Sequence, residues 1–214
     1  MRRILGVDPG LRITGYGAIV GDPPRVLEAG IITPPTAAPL EQRLHALHEQ
    51  MLEVIAATQP DVIVVEELWG SHKNPATAIL MGHARGVLYL AAREHGVAVC
   101  PLAHSMVKRA LTGNGAAGKE QVKRMVMQRL HLTKAPRPDD VSDALALALA
   151  HANVEQADLR MARLGVPRAR RRRTYRPLSE VRTIQGLLRR AGCASVPEAH
   201  GWARGDRNVR KDLP

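Results

Sequence analysis

Apolar positions change period along this chain, from short continuous runs near the start to three- and four-residue spacing further on. Residues 3–8 form an apolar run that reaches Asp8 and is closed by the turn dipeptide Pro9-Gly10. Residues 13–20 and 26–33 read as a second and a third strand, so a hairpin opens the fold. Leu40, Leu44, Leu47, Met51, Leu52 and Ile55 then recur on one face of a helix over about 40–58, which Gln59-Pro60 ends. Val62-Ile-Val-Val65 is a continuous β-branched run of the kind buried on both faces of a sheet. A helix over about 76–95, a strand over 97–102 and helices near 105–112, 119–131 and 139–153 complete the series. Strands first, then β/α alternation, predict an α/β protein: a mixed five-stranded sheet with helices on both faces.

Composition narrows this picture. A chain of 214 residues holds one packed domain, placed at 1–155, with an appendage over 156–214. Aromatic residues make up 2% and Phe is absent, so the core is built from Ala, Leu, Val and Ile, and an aromatic in a polar loop stands out. Cys100 and Cys193 are the only cysteines, which supports neither a disulfide framework nor a zinc site. No apolar stretch approaches a membrane span and the N-terminus runs straight into a strand, so a cytoplasmic protein is expected. The net charge of +11 is concentrated at one end: residues 156–214 carry 15 Lys and Arg against 5 acids, residues 1–155 carry 16 against 15. Such a tail suits a polyanion, because each neutralised phosphate releases counterions.

Four acids carry the candidate chemistry. Asp8 and Glu66 each sit where an apolar strand ends, and neighbouring parallel strands would deliver both to one sheet edge. Asp140 and Asp143 lie three residues apart at the start of a helix and share a face. Taken singly, each is an ordinary solvated or helix-starting acid. Convergent, they would repel one another unless hard cations neutralised them, and an all-oxygen donor set suits Mg²⁺. Asp139, beside Asp140, is assigned to capping the helix.

The segments Gly6-Val-Asp-Pro-Gly-Leu-Arg-Ile-Thr-Gly-Tyr-Gly17, Val65-Glu-Glu-Leu-Trp69, Gly82-His-Ala-Arg-Gly86 and Asp140-Val-Ser-Asp-Ala-Leu-Ala146 resemble, in order and spacing, the signature segments of RuvC-type Holliday junction resolvases. The resemblance covers roughly residues 1–153. It implies an RNase H-like fold with Asp8, Glu66, Asp140 and Asp143 as catalytic metal ligands. It also implies two Mg²⁺ per active site, Mn²⁺ being an alternative, and a homodimer that cuts four-way junction DNA symmetrically and works with a branch-migration helicase complex. It further implies that Trp69 is a base-stacking wedge and that Lys108 and Lys119 contact DNA. Glu67 departs from the neutral residue usual after the catalytic Glu; strand alternation turns it away from the metals.

Gly113-Asn-Gly-Ala-Ala-Gly-Lys119 imitates a phosphate loop, but Glu120 stands where the Mg²⁺-binding hydroxyl belongs and no strand precedes it. As the first residue of a helix, Lys119 is opposed by the dipole unless an anion lies beside it, here expected to be a DNA phosphate. None of the nine His is taken as a ligand, and Ser105 lacks a triad. Two further readings are a related nuclease of structured RNA and a non-cleaving junction binder; the latter needs a missing ligand, and none is missing. An actin-like ATPase would need a second large domain. Residues 168–173, with Arg171 and Arg172, are expected to anchor DNA electrostatically.

Overall fold

The computed structural model of the chain describes residues 1–67 and 75–165; Trp69, Arg171 and Arg172 lie outside the described residues. Five strands form one sheet: β1 (Arg3–Asp8), β2 (Thr14–Val20), β3 (Arg25–Ile32), β4 (Val62–Glu66) and β5 (Ala98–Leu102), in the order β3-β2-β1-β4-β5. β1 pairs antiparallel with β2 and parallel with β4; β2 and β3 are antiparallel, β4 and β5 parallel. The mixed sheet expected from the sequence is therefore present. The helices are α1 (Leu40–Thr58), α2 (Pro75–Glu94), α3 (His104–Thr112), α4 (Lys119–Arg129) and α5 (Asp139–Arg163).

Strand alternation sorts side chains into two cores. Leu5, Val7, Ile63 and Val65 pack with Leu47, Met51 and Ile55 of α1 and Leu88 of α2. Ile4, Val62 and Val64 face the other way, onto α5 and onto Val107, Val122 and Val126 of α3 and α4. Because β4 is buried on both faces, its continuous Val-Ile-Val-Val run needs no polar alternation.

On the second face α5 lies directly on the sheet. A Cβ at Gly6 would stand 1.9 Å from the Ala144 carbonyl oxygen, and one at Gly15 would stand 2.1 Å from that of Asp140. Small residues here set the distance between helix and sheet, and Ala144, Ala146, Ala148 and Ala150 of α5 are themselves buried.

α5 runs ten residues beyond the end at 153 expected from the sequence, through residues assigned to the appendage. Its apolar pattern stops there because those turns leave the core, and residues 159–163 are exposed. Arg2 pairs with Glu155, tying the beginning of these turns to the start of the chain. No helix among the described residues is long and apolar enough to cross a membrane.

Gly6→Ala is expected to destabilise the domain by about 3 kcal/mol, the upper range for overpacking. Urea unfolding measures this; an unchanged midpoint would mean that α5 can move off β1.

Candidate active site

Alternation along β1 puts Asp8 on the α5 face with Ile4 and Gly6, and along β4 it puts Glu66 on that face with Val62 and Val64. The parallel register pairs Val7 with Val65, so Asp8 and Glu66 leave neighbouring strands one step further on. The loop after Asp8 is held from two sides. The buried Thr14 hydroxyl donates to the Gly10 carbonyl at 2.6 Å and accepts from the Gly10 N–H at 3.1 Å. Arg43 of α1 donates to the Leu11 carbonyl at 2.9 Å. Asp140 and Asp143 come from the first turns of α5, lowered onto this edge by the contact at Gly15.

The four predicted acids are thus delivered to one corner. Their mutual influence is visible in Asp8, whose carboxyl is raised from 3.8 to about 7, first by burial and then by the charges of Glu66, Asp143 and Asp140, against the pull of Lys119. Yet among the described residues no group of three His, Cys, Asp or Glu side chains is drawn together closely enough to hold one ion. Two of the four carboxylates instead lie against side chains of the chain itself. The Lys119 ammonium lies 3.1 Å from Asp143 Oδ2 and 3.3 Å from Asp139 Oδ2. His104 Nδ1 lies 2.8 Å from Glu66 Oε1.

The sequence assigned Asp139 to capping α5, and the structure corrects this. Pro138 occupies the N-cap, no side chain caps the helix, and Asp139 instead binds Lys123 at 2.9 Å as well as Lys119. Those two ammonium groups hold the Asp139 carboxyl below its ordinary value, the hydrogen bond to Lys123 contributing most. Lys119 does open α4, and the anion beside it within the chain is a carboxylate. Burial opposes the charge on Lys119, but Asp143 and Asp139 together raise it above the usual lysine value. Lys108 lies with Lys119, Glu66, His104 and Asp143 around one cleft between α3, α4 and α5. A second cleft beyond Asp8 and Asp140 is lined by Arg12 and Arg43. Glu67 follows the last residue of β4, and its backbone N–H donates to the Leu102 carbonyl at 3.0 Å.

The sequence reading missed His104. Its signal was indirect: Leu102 pairs with Glu66 across β4 and β5, so the residue that opens α3 just afterwards falls beside that carboxylate. The phosphate-loop imitation is confirmed as a helix connection, with Gly113 ending α3 in the left-handed region at φ 77° and Gly118 beginning α4.

The family model for crossover junction endodeoxyribonuclease RuvC matches residues 4–151. A crossover junction endodeoxyribonuclease RuvC of Alkaliphilus oremlandii is 43% identical over 152 residues, which is 70% of this chain and 92% of the relative. That of Rhodopirellula baltica is 44% identical over 148 residues, 68% of this chain and 83% of the relative. Among solved structures, Thermus thermophilus RuvC in complex with a Holliday junction substrate has a TM-score of 0.66 at 32% identity, covering 78% of this chain and 98% of that one. The yeast mitochondrial Holliday junction resolvase Ydc2, at 13% identity and a TM-score of 0.56, shares the fold. The match begins in β1 and ends in α5, taking in every element that brings an acid to this corner, and the chain belongs to the crossover junction endodeoxyribonuclease RuvC family.

Proposed function

We propose that this chain is a nuclease that resolves four-way DNA junctions by metal-dependent phosphodiester hydrolysis, with Asp8, Glu66, Asp140 and Asp143 as its catalytic ligands. The observation that carries the reading is the placement of Asp8 and Glu66 at the ends of neighbouring parallel strands with Asp140 and Asp143 at the start of α5, where their charges add to burial in raising the Asp8 carboxyl; added positive charge stabilises such a group of acids. The donor set is all oxygen, which fits Mg²⁺ and also Mn²⁺. Two such ions, when bound, activate a water and stabilise the leaving oxygen. The residues of the chain do the remaining work. Asp8 and Asp143 would help to hold the ions, and Lys119, which pairs with Asp143 here, lies with Lys108 around a cleft lined also by Glu66 and Asp143, where both lysines suit backbone phosphates.

A homodimer supplies the second active site that paired cuts require. The exposed face of α2 supports one: Ile79, Gly82, His83, Gly86 and Leu90 form a stripe, and the two glycines have no neighbour within 4 Å of an added Cβ, so a second helix can approach closely. Trp69 is assigned to stacking on a base at the junction, Arg171 and Arg172 to the DNA backbone, and a branch-migration helicase complex is the partner that the resemblance implies. The relatives are crossover junction endodeoxyribonucleases, and the T. thermophilus structure holds a Holliday junction, which favours DNA over structured RNA as the substrate. All four acids are present, which disfavours a junction binder that does not cut.

Labelled synthetic four-way junctions, compared with linear duplex in Mg²⁺ or EDTA, test the activity. Wild-type protein should nick opposed strands of the junction only with metal, and Asp8→Asn should lose more than the roughly 100-fold that removal of an outer-shell partner costs. Binding without cleavage would leave the binder standing, and indifference to the junction would favour structured RNA.

The Asp8 carboxyl also predicts a pH dependence in EDTA. A folded-state value of about 7 against 3.8 means that its contribution is intact below pH 4 and is lost as pH rises to about 7, because the folded chain keeps a proton that the unfolded chain releases. At one pKa unit per ~1.4 kcal/mol, the loss is bounded at ~4 kcal/mol. Asp8→Asn should therefore match wild type near pH 4 and be more stable near pH 8, and saturating Mg²⁺ should shrink that gap. Equal pH profiles in EDTA would contradict it.

The basic tail is tested by removing residues 166–214, beyond the end of α5. Junction affinity should fall, and the slope of log affinity against log salt should flatten by ~0.9 for every phosphate that the shortened chain no longer neutralises. An unchanged slope would remove the tail from the DNA interface.

A further inference from the structure

We infer that His104 is a positioning residue for the active site, its Nδ1 set 2.8 Å from Glu66 Oε1 and so limiting where that carboxylate can turn; this rests on the reading of Glu66 as a metal ligand. Glu66 is the last residue of β4 and pairs with Leu102. The Glu67 N–H donates to the Leu102 carbonyl at 3.0 Å, so β4 and β5 stay paired up to the point where the acid leaves the sheet. The backbone beneath Glu66 is thereby fixed, while its side chain still has three torsions to settle. Repulsion from the neighbouring Asp8 would drive it outward. His104 meets it there, at 2.8 Å, from the first residue of α3. A carboxylate has two oxygens, so a group set against Oε1 leaves Oε2 for a cation, and outer partners of this kind orient ligating carboxylates.

His104 is 64% exposed on its side chain, so the pair adds little to stability. The chain contains a matched comparison: His48 Nε2 lies 2.8 Å from Glu94 Oε2 on the surface between α1 and α2, where neither group lines the acidic corner. Both pairs join a histidine to a glutamate at the same distance, and only one of those glutamates lies among the four acids. Lys108, Lys119 and Asp143 share the cleft with His104, but Lys119 is engaged with Asp143 and Asp139, and His104 is the residue in contact with Glu66.

The test uses the full chain without DNA and Mn²⁺ alone as the probe, with free Mn²⁺ counted by electron paramagnetic resonance. His104→Ala should raise the Mn²⁺ dissociation constant by roughly 10- to 100-fold. His104→Asn, whose amide nitrogen falls near the Nδ1 position, should recover most of that loss. His104→Gln, whose amide falls near Nε2, should not, and His48→Ala should bind as wild type. In junction cleavage, His104→Ala should need more Mg²⁺ to reach half its maximal rate, with a smaller effect on the maximum. Wild-type Mn²⁺ binding by His104→Ala, or an Asn variant no better than Ala, would overturn the positioning role. Glu66→Gln separates the two layers: if it loses Mn²⁺ while His104→Ala does not, only the role of His104 falls; if it binds like wild type, Glu66 is not a ligand and both readings fall.

Discussion

The close seating of α5 on β1 and β2 is the constraint from which the rest of this structure follows. Backbone meets backbone there, because no Cβ fits at Gly6 or Gly15 beneath the carbonyls of Ala144 and Asp140. A helix held off the sheet by larger side chains would keep its first turn further from the strand ends. Seated on glycine, α5 brings Asp140 and Asp143 to the corner where Asp8 and Glu66 leave β1 and β4. The same contact builds half of the core, since the buried alanines and leucines of α5 close over Ile4, Ile19 and Val64. Packing and chemistry share one set of residues here, so the site cannot loosen without cost to the fold.

That arrangement concentrates negative charge where water is scarce. Asp8 bears the burden, its carboxyl raised first by burial and then by its three neighbours. The chain offsets this in part with its own cations, using Lys119 against Asp143 and Lys123 to hold Asp139 aside, while His104 lies against Glu66. Such pairs are weak near the surface, so they stabilise the corner without closing it. A site held this way stays open to stronger cations, and part of its stability is kept in reserve until they arrive.

Much of this was legible in the sequence, for identifiable reasons. The span of α1 could be read residue for residue because Leu44, Leu47, Met51 and Ile55 keep a strict helical period above a Gln-Pro stop. The unbroken apolar run of β4 announced a strand covered on both sides with Glu66 at its end, and the run of β1 did the same for Asp8. The end of α5 was not legible, because its last turns leave the core and carry no apolar period to read. Asp139 was misread because local pattern favours an acid as a helix cap, whereas Lys123, 16 residues away on α4, draws it elsewhere. His104 escaped for a similar reason: it lies far from Glu66 in sequence and meets it only through the register of β4 and β5. Periodicity reveals which residues face a core; it does not reveal which polar groups two distant elements will bring together.

The distribution of charge suggests a division of labour. The described domain carries nearly balanced charge, and its cations near the acids are partly consumed by them: Lys119 and Lys123 are both engaged with carboxylates. A surface of that kind cannot attract DNA strongly from a distance, because within a Debye length of ~8–10 Å its positive and negative groups largely cancel. The excess positive charge lies instead in residues 156–214, away in sequence from every acid of the corner. Attraction and cleavage place opposite demands on charge, and under the proposed reading the chain would meet them in separate segments. The first would be weakened by salt without disturbing the acids, while the second would depend on the fixed geometry of α5, β1 and β4.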